Sequence, residues 1–331
     1  MSRTGIVIIG RNEGERLRVC LRSAMGFGSP VVYVDSGSTD GSPALAGSMG
    51  ATVLELDPSR EFSAARARNE GFDRLLATSP GLIYVQFVDG DCELVAGWLD
   101  QGVAALDARS EGVVVCGRLR ERHPEASVYN RLCSMEWQLT PGEIPSCGGI
   151  FLARVEAFRA VSGFRPDVVA GEEGELCLRL RRQGGKILHV EADMAWHDAA
   201  MLHFSQWWRR AQRAGHAYAQ GADLHGGSKD QLFVRDCRRI WFWAFFLPIL
   251  ALAPAWPTRG ISAALLALYP LQLARIYFSG RRGGRSAGDA WVYAWFALLS
   301  KFPSFLGLLQ YHRRRWRGEA MRIIEHKQVA G

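Results

Sequence analysis

From residue 5 to residue 91 the chain repeats one pattern, a short continuous apolar run followed by a longer stretch of helical character. GIVIIG (5–10) precedes EGERLRVCLRSAM (13–25), and VVYVDSGS (31–38) precedes SPALAGSMG (42–50). ATVLEL (51–56) precedes EFSAARARNEGFDRLLAT (61–78), and LIYVQFVDGD (82–91) follows. Apolar runs without polar alternation read as strands buried on both faces. Helices between them predict an α/β fold, a mostly parallel sheet covered on both sides. In such sheets ligands collect beyond the carboxyl ends of the strands. Asp35, Asp89 and Asp91 all fall at such ends, so they can line one crevice. No GxGxxG follows the first strand, and no GxxxxGK followed by Ser or Thr occurs. That argues against a dinucleotide dehydrogenase and a P-loop phosphotransferase.

Asp89 and Asp91 pose a problem, because like charges one residue apart raise the cost of ionising each other. A D-x-D triplet alone is a weak signal, since turns and caps use it freely. Placed after a buried strand, it can bind a divalent cation that prefers oxygen ligands, Mg2+ or Mn2+. Such an ion neutralises the diphosphate of a departing nucleotide. A second cluster, GEEGELCLRL (171–180), offers Glu172 and Glu173. They either favour a helix N-terminus by charge or supply a general base. His197, after the strand-like VEADMAWH, is either structural or a neutral imidazole completing a metal site with Asp91. In FSQWWRRAQRAGHAYAQ (204–220), the choice is between a packed surface helix and a contact for a lipid-linked diphosphate. The latter would use Trp207, Arg209 and Arg210.

The formal net charge of +7 conceals a division. Residues 231–331 carry 15 Lys/Arg and 4 Asp/Glu, whereas residues 1–230 carry 25 and 29. The arginines of the tail flank apolar runs, a pattern that points to anionic lipid headgroups and away from nucleic acid. Three runs stand out, at 240–256, 261–278 and 291–311, each near the roughly 17–25 residues that span a bilayer. The first two predict a hairpin over 240–278 with its flanking arginines on the cytoplasmic side. The third, with Lys301 and Pro303 inside it, predicts an interfacial helix. Buried helices of a soluble domain are the alternative. The expected division is therefore a catalytic domain over 1–225 and a membrane-associated helical region over 226–331. Seven scattered cysteines without CxxC pairs predict isolated thiols in a reducing compartment. The opening IVII is too short for a signal peptide, which places the catalytic part at the cytoplasmic face of a membrane.

Over about residues 4–215 these segments resemble, in order, the family 2 glycosyltransferases of GT-A fold. VIIGRNEGERLRVCLRSA is similar to the family's opening strand, Asn-Glu pair and helix. VVYVDSGSTDGS resembles its VDDGSTDGT, with Ser36 replacing the second Asp. FSAARARNEGF, FVDGDCEL, CGGIFLARVEAFRAVSGF and GEEGELCLRL resemble its later motifs, and His197 stands where the family has a metal ligand. The resemblance implies that Glu13 and Asp35 contact the donor base and ribose, that Arg68 lies near the base or phosphates, and that Asn69 shapes its turn. It implies Asp89 on ribose or metal, Asp91 and His197 on the metal, and Glu173 in the place of the catalytic Asp, preceded by Glu172. Gly148 and Gly149 would let acceptor or sugar approach the chain.

The implied activity is inverting, metal-dependent hexosyl transfer. The donor is a nucleotide-sugar, expected to be UDP-linked, and the acceptor a lipid-linked saccharide of polysaccharide biosynthesis. The family's processive synthases carry QxxRW; here Gln206 is followed by WWRR, which favours addition of a single sugar. The rival readings are a polyprenyl-phosphate sugar synthase and a catalytically inert membrane scaffold of the same fold.

Overall fold

The computed structural model describes residues 2–319 and 321, in two compact units. Unit one comprises Met1–His123 with Glu136–Ala199, and unit two Pro124–Met135 with Ala200–Gly331.

Unit one runs β1 (Thr4–Gly10), α1 (Glu15–Met25), β2 (Val31–Asp35), α2 (Ser42–Ser48), β3 (Thr52–Glu55), α3 (Ala64–Thr78), β4 (Tyr84–Asp89), β5 (Cys92–Leu94), α4 (Trp98–Asp107) and β6 (Gly112–Glu121). The chain then passes through α5 (Val128–Glu136), most of which belongs to unit two, and returns as β7 (Gly142–Ile144), β8 (Phe151–Arg154), α6 (Val155–Ala160), α7 (Glu172–Arg182) and β9 (Lys186–His197). The strands form one sheet in the order β3-β2-β1-β4-β8-β6-β9-β5, with β7 also pairing β9. β1 to β4 pair in parallel, as the alternation predicts. Beyond them the sheet is mixed. β8 lies antiparallel between β4 and β6, and β9 runs parallel to β6. β1, β2, β3, β4, β6 and β9 thus share one direction.

Ile6, Val7 and Ile8 are all fully buried, and so are Tyr33 and Val34. Successive residues point to opposite faces, so both faces are covered. On one of them α3 lies so close that a Cβ at Gly71 would stand 2.6 Å from both Val7 and Val34 side chains. Any larger residue there would push the helix off the sheet.

Unit two is helical: α8 (Phe204–His225), α9 (Val234–Trp241), α10 (Leu247–Leu252), α11 (Leu268–Arg282), α12 (Ala287–Leu299) and α13 (Lys301–Trp316). The division falls near residue 200, earlier than 225, because α8 packs on α13. At their crossing a Cβ on Gly215 would overlap the Ser304 carbonyl, and one on Gly307 the Gln212 carbonyl. Ser304 Oγ donates to Ala211 O at 3.0 Å and Tyr311 Oη to Asp223 at 2.8 Å.

Among the described residues, two helices are long and apolar enough to cross a membrane, over Ile261–Arg282 and Ala287–Trp316. The first apolar run, 240–256, instead breaks into the end of α9, a π-helical turn at Phe242–Phe246, and α10. α12 and α13 meet at Ser300, because Pro303 has no N–H for the Leu299 carbonyl.

Candidate functional site

Five of the six co-directional strands end on a titratable residue: β2 at Asp35, β3 at Glu55, β4 at Asp89, β6 at Glu121 and β9 at His197. The carboxyl edge of the sheet is therefore where the titratable groups gather, as the strand-end rule requires.

At the β1 and β2 ends two loops are tied together. Asn12 Oδ1 accepts from Thr39 N at 2.7 Å, Asn12 N donates to Ser38 Oγ at 2.9 Å, and Gly14 N donates to Asp40 Oδ2 at 3.0 Å. Asp35 is buried and engaged within its own loop, accepting from Gly37 N, Ser38 N and Tyr33 Oη at 2.7–2.9 Å. Glu13 is also buried, 2.9 Å from Arg16, and a Cβ on Gly90 would lie 3.1 Å from its Cγ. Glu13 thus backs the Asp-Gly-Asp turn directly.

The next cluster is built around Arg68, which α3 sends into the sheet's edge with only 2 % of its surface exposed. Its Nη2 lies 2.9 Å from Asp89, and its Nη1 is 3.0 Å from Glu172 and 3.3 Å from Glu173. Burial alone would depress the guanidinium's pKa, but Asp89, Glu173 and Glu172 together raise it. Arg68 was expected near the base or phosphates; here its guanidinium is the counter-ion of three carboxylates. Gly149 sits against the same cluster. A Cβ there would overlap Arg68 Nη2 and come within 3.0 Å of Asp89 and 3.1 Å of Glu173, whereas Gly148 faces open space. Glu172 is buried, but the Glu173 side chain is 19 % exposed at the first turn of α7. Burial, then the Glu172 charge, push the Glu173 carboxyl up to about 7, against the opposing pull of Arg68. A carboxyl held there can exchange a proton near neutral pH.

The third cluster lies where β5, β9 and β6 adjoin. Cys92 and Glu121 each pair in register with His197 from opposite sides. His197 Nε2 is 3.4 Å from Asp91 Oδ2, and its Nδ1 is 3.6 Å from Glu121 Oε2. The Trp137 ring packs edge-on at 4.7 Å. Glu121 is buried and accepts from His123 N and Ala199 N. Asp91, Cys92 and His197 each offer one donor atom, all within 4.8 Å of one another, a spacing that suits a single cation. A carboxylate behind a ligating imidazole fixes its tautomer and orientation.

Residues 5–161 match the model of the family "Glycosyl transferase family 2". The match spans a little under half of the chain and gives that stretch the family's fold. A solved mannosyltransferase of Pyrobaculum calidifontis, in complex with GDP-Man and Mn2+, shares the GT-A fold. It superposes with a TM-score of 0.59 at 17 % identity, over 93 % of this chain and 87 % of that one. A TPR repeat-containing protein of Synechococcus elongatus is 33 % identical over 95 residues, 29 % of this chain. The chain spans about a fifth (22 %) of that curated relative's length.

Within unit one the structure brings Arg68, Asp89, Gly149, Glu172 and Glu173 together, and Asp91 with His197. Asn69 clamps the turn before α7, donating to Phe164 O at 2.7 Å and accepting from Phe164 N at 2.9 Å. Trp207, Arg209 and Arg210 lie in the other unit. Trp207 is buried there against Phe204 and Phe296, and the two arginines are half-buried on α8. All seven cysteines are free, yet they are less isolated than their spacing suggests. Cys92 adjoins Asp91, and Cys147 and Cys177 lie with their sulfurs 3.7 Å apart. Glu121 and Trp137 were not anticipated. Glu121 follows Arg118 and Arg120 in RLRERH, so no apolar run marks it as one marks Asp89.

Proposed function

We propose that this protein is an inverting, metal-dependent glycosyltransferase that moves one sugar from a nucleoside-diphosphate donor to a hydroxyl of a lipid-linked saccharide. The observation that carries the reading is Glu173, a largely buried carboxyl with a raised pKa beside the Asp-Gly-Asp turn. Arg68 pairs with Glu173 Oε1, and the same carboxylate would receive the acceptor's proton. Glu172 is buried and bound to the same guanidinium, so it serves as an anchor rather than a nucleophile. One base and no attacking carboxylate correspond to a single displacement with inversion, unlike the paired carboxylates of retaining hydrolysis. Asp91 and His197 would hold Mg2+ or Mn2+, with Glu121 behind the imidazole. The ion's contribution, when bound, is to neutralise the leaving diphosphate. The P. calidifontis neighbour's complex with GDP-Man and Mn2+ supports this assignment. Asp89, on the same turn, faces the donor's ribose, with Glu13 and Asp35 shaping the base end.

Unit two is the membrane attachment in this reading. Trp256, Ile261 and Trp316 are 94, 78 and 86 % exposed, and the window on Ile261–Arg282 is only 6 % buried. Side chains of that kind seek lipid, and Arg281, Arg282 and Arg313–Arg315 would meet headgroups at the cytoplasmic face. Arg209 and Arg210 are candidates for the acceptor's diphosphate. The test is calorimetry on detergent-purified protein with UDP-, GDP- and dTDP-sugars, with and without Mn2+. Binding of one donor that needs Mn2+ and is lost in Asp91→Ala is expected. Folded protein that binds none of them would leave an inert scaffold as the better reading.

A further inference from the structure

We infer that the Cys92 thiol is a third donor at the Asp91–His197 site, and that it tunes the site toward thiophilic divalent cations such as Zn2+ and Co2+. The inference rests on reading Asp91 and His197 as a cation site. It begins with strand register. β5 pairs with β9 so that Cys92 stands opposite His197, and residues directly opposite one another project to the same face. Asp91, the residue before, closes the set. Cys92 Sγ is 3.5 Å from Asp91 Oδ1, and Asp91 Oδ2 is 3.4 Å from His197 Nε2.

The three donor atoms lie within 4.8 Å of one another, close enough to converge on one cation. Donor chemistry sets which cation that is, because a thiolate selects zinc-like ions whereas Mg2+ and Mn2+ prefer oxygen.

An independent feature opens two of the three donors, Asp91 and Cys92, to solvent. Asp91 and Cys92 are both buried, but they line a cavity of about 260 Å3. Glu15, Glu93 and Asp198 share its wall with Arg16 and Arg122, so carboxylates outnumber guanidiniums and the cavity favours cations. On coordination the S–H bond breaks, the sulfur lone pair forms the metal–sulfur bond, and the proton leaves to solvent. The consequence is a site that Mn2+ can use and Zn2+ can capture.

The test uses the full-length protein in detergent, with Co2+ as the probe. Cobalt-loaded protein should show the near-ultraviolet thiolate-to-cobalt charge-transfer absorption. The band should vanish in Cys92→Ser and survive in the Cys147→Ser/Cys177→Ser double variant. Zn2+ affinity, read by competition with a chromophoric chelator, should fall about 10–100-fold in Cys92→Ser. A wild-type spectrum without the band overturns the inference, and so does a band that persists in Cys92→Ser. If Cys92→Ser does not fold, a band retained by wild type and by the double variant supports it, and a band missing from wild type refutes it. Mn2+-dependent donor binding is measured on the same preparation. Its absence beside an intact cobalt band would sink the glycosyl-transfer reading while leaving the thiol donor in place.

Discussion

The two carboxylate clusters at the sheet's carboxyl edge meet the same difficulty in opposite ways. Around Arg68, three carboxylates share one buried guanidinium at 2.9–3.3 Å. Around His197, the basic group at comparable range is an imidazole, 3.4 Å from Asp91 and 3.6 Å from Glu121. A guanidinium is permanently charged and forked, so it fixes its partners whatever else binds. An imidazole is neutral through most of the physiological range and can present a lone pair. The first cluster is therefore a rigid mount for a base, and the second has room for a cation from outside. On the proposed reading, the first cluster would carry the proton chemistry and the second the leaving-group chemistry.

The sharpest way to break this comparison is at Glu173. Glu173→Gln keeps the shape and removes the base, so kcat should fall about 10^2–10^4-fold while Mn2+-dependent donor binding persists. Initial-rate kinetics beside calorimetry will show it; a mild loss of kcat would instead favour an acceptor such as a phosphate, which needs no base. Next comes Arg68→Leu. It strands Asp89, Glu172 and Glu173 without their shared counter-ion, and breaking a buried pair in this way costs about 3–5 kcal/mol. Denaturant unfolding should register that loss, and a variant as stable as wild type would show that Arg68 is not the cluster's keystone.

Much of this division was legible in the sequence, for a definite reason. Asp35, Asp89, Asp91, Glu173 and His197 sit beside strand or helix starts and ends, and local patterning fixes those positions. Long-range pairing is a different matter. Arg68 and Glu172 are 104 residues apart, and nothing in FSAARARNEGF distinguishes the inward arginine from Arg66. Arg66 itself is buried, holding Glu70 and the Asp57 and Arg60 carbonyls. Glu121 was hidden by its setting, since RLRERH reads as a solvated charged run. Only the pairing of β6 with β9 turns it toward His197. The helical unit was harder still. Its close α8–α13 crossing depends on Gly215 and Gly307, and a single glycine in each helix is a weak signal.

A smaller effect is expected at Glu121. Glu121→Gln can keep only one of the two backbone hydrogen bonds, since its amide nitrogen cannot accept, and it removes the charge behind the imidazole. Losses of this kind reduce metal affinity about 10–100-fold. Mn2+ titration monitored by quenching of tryptophan fluorescence, Trp137 lying against the His197 ring, would report it. An unchanged Mn2+ affinity would separate Glu121 from the site.

The pH profile offers the finest test, because it sets activity against stability in one group. Glu173 is raised to about 7 in the folded protein, first by burial and then by the Glu172 charge, whereas an unfolded glutamate ionises near 4.5. The base form therefore grows as pH rises through 7, and kcat should drop about tenfold for each unit below it. Stability moves the other way. Between about 4.5 and 7 the folded chain keeps a proton that the unfolded chain has released, so this group's contribution to stability declines as pH rises across that window. In Glu173→Gln both slopes should flatten together. If the acid limb of kcat stays while the stability slope disappears, the proton belongs to another group, and the rigid mount around Arg68 holds a carboxylate that the reaction does not use.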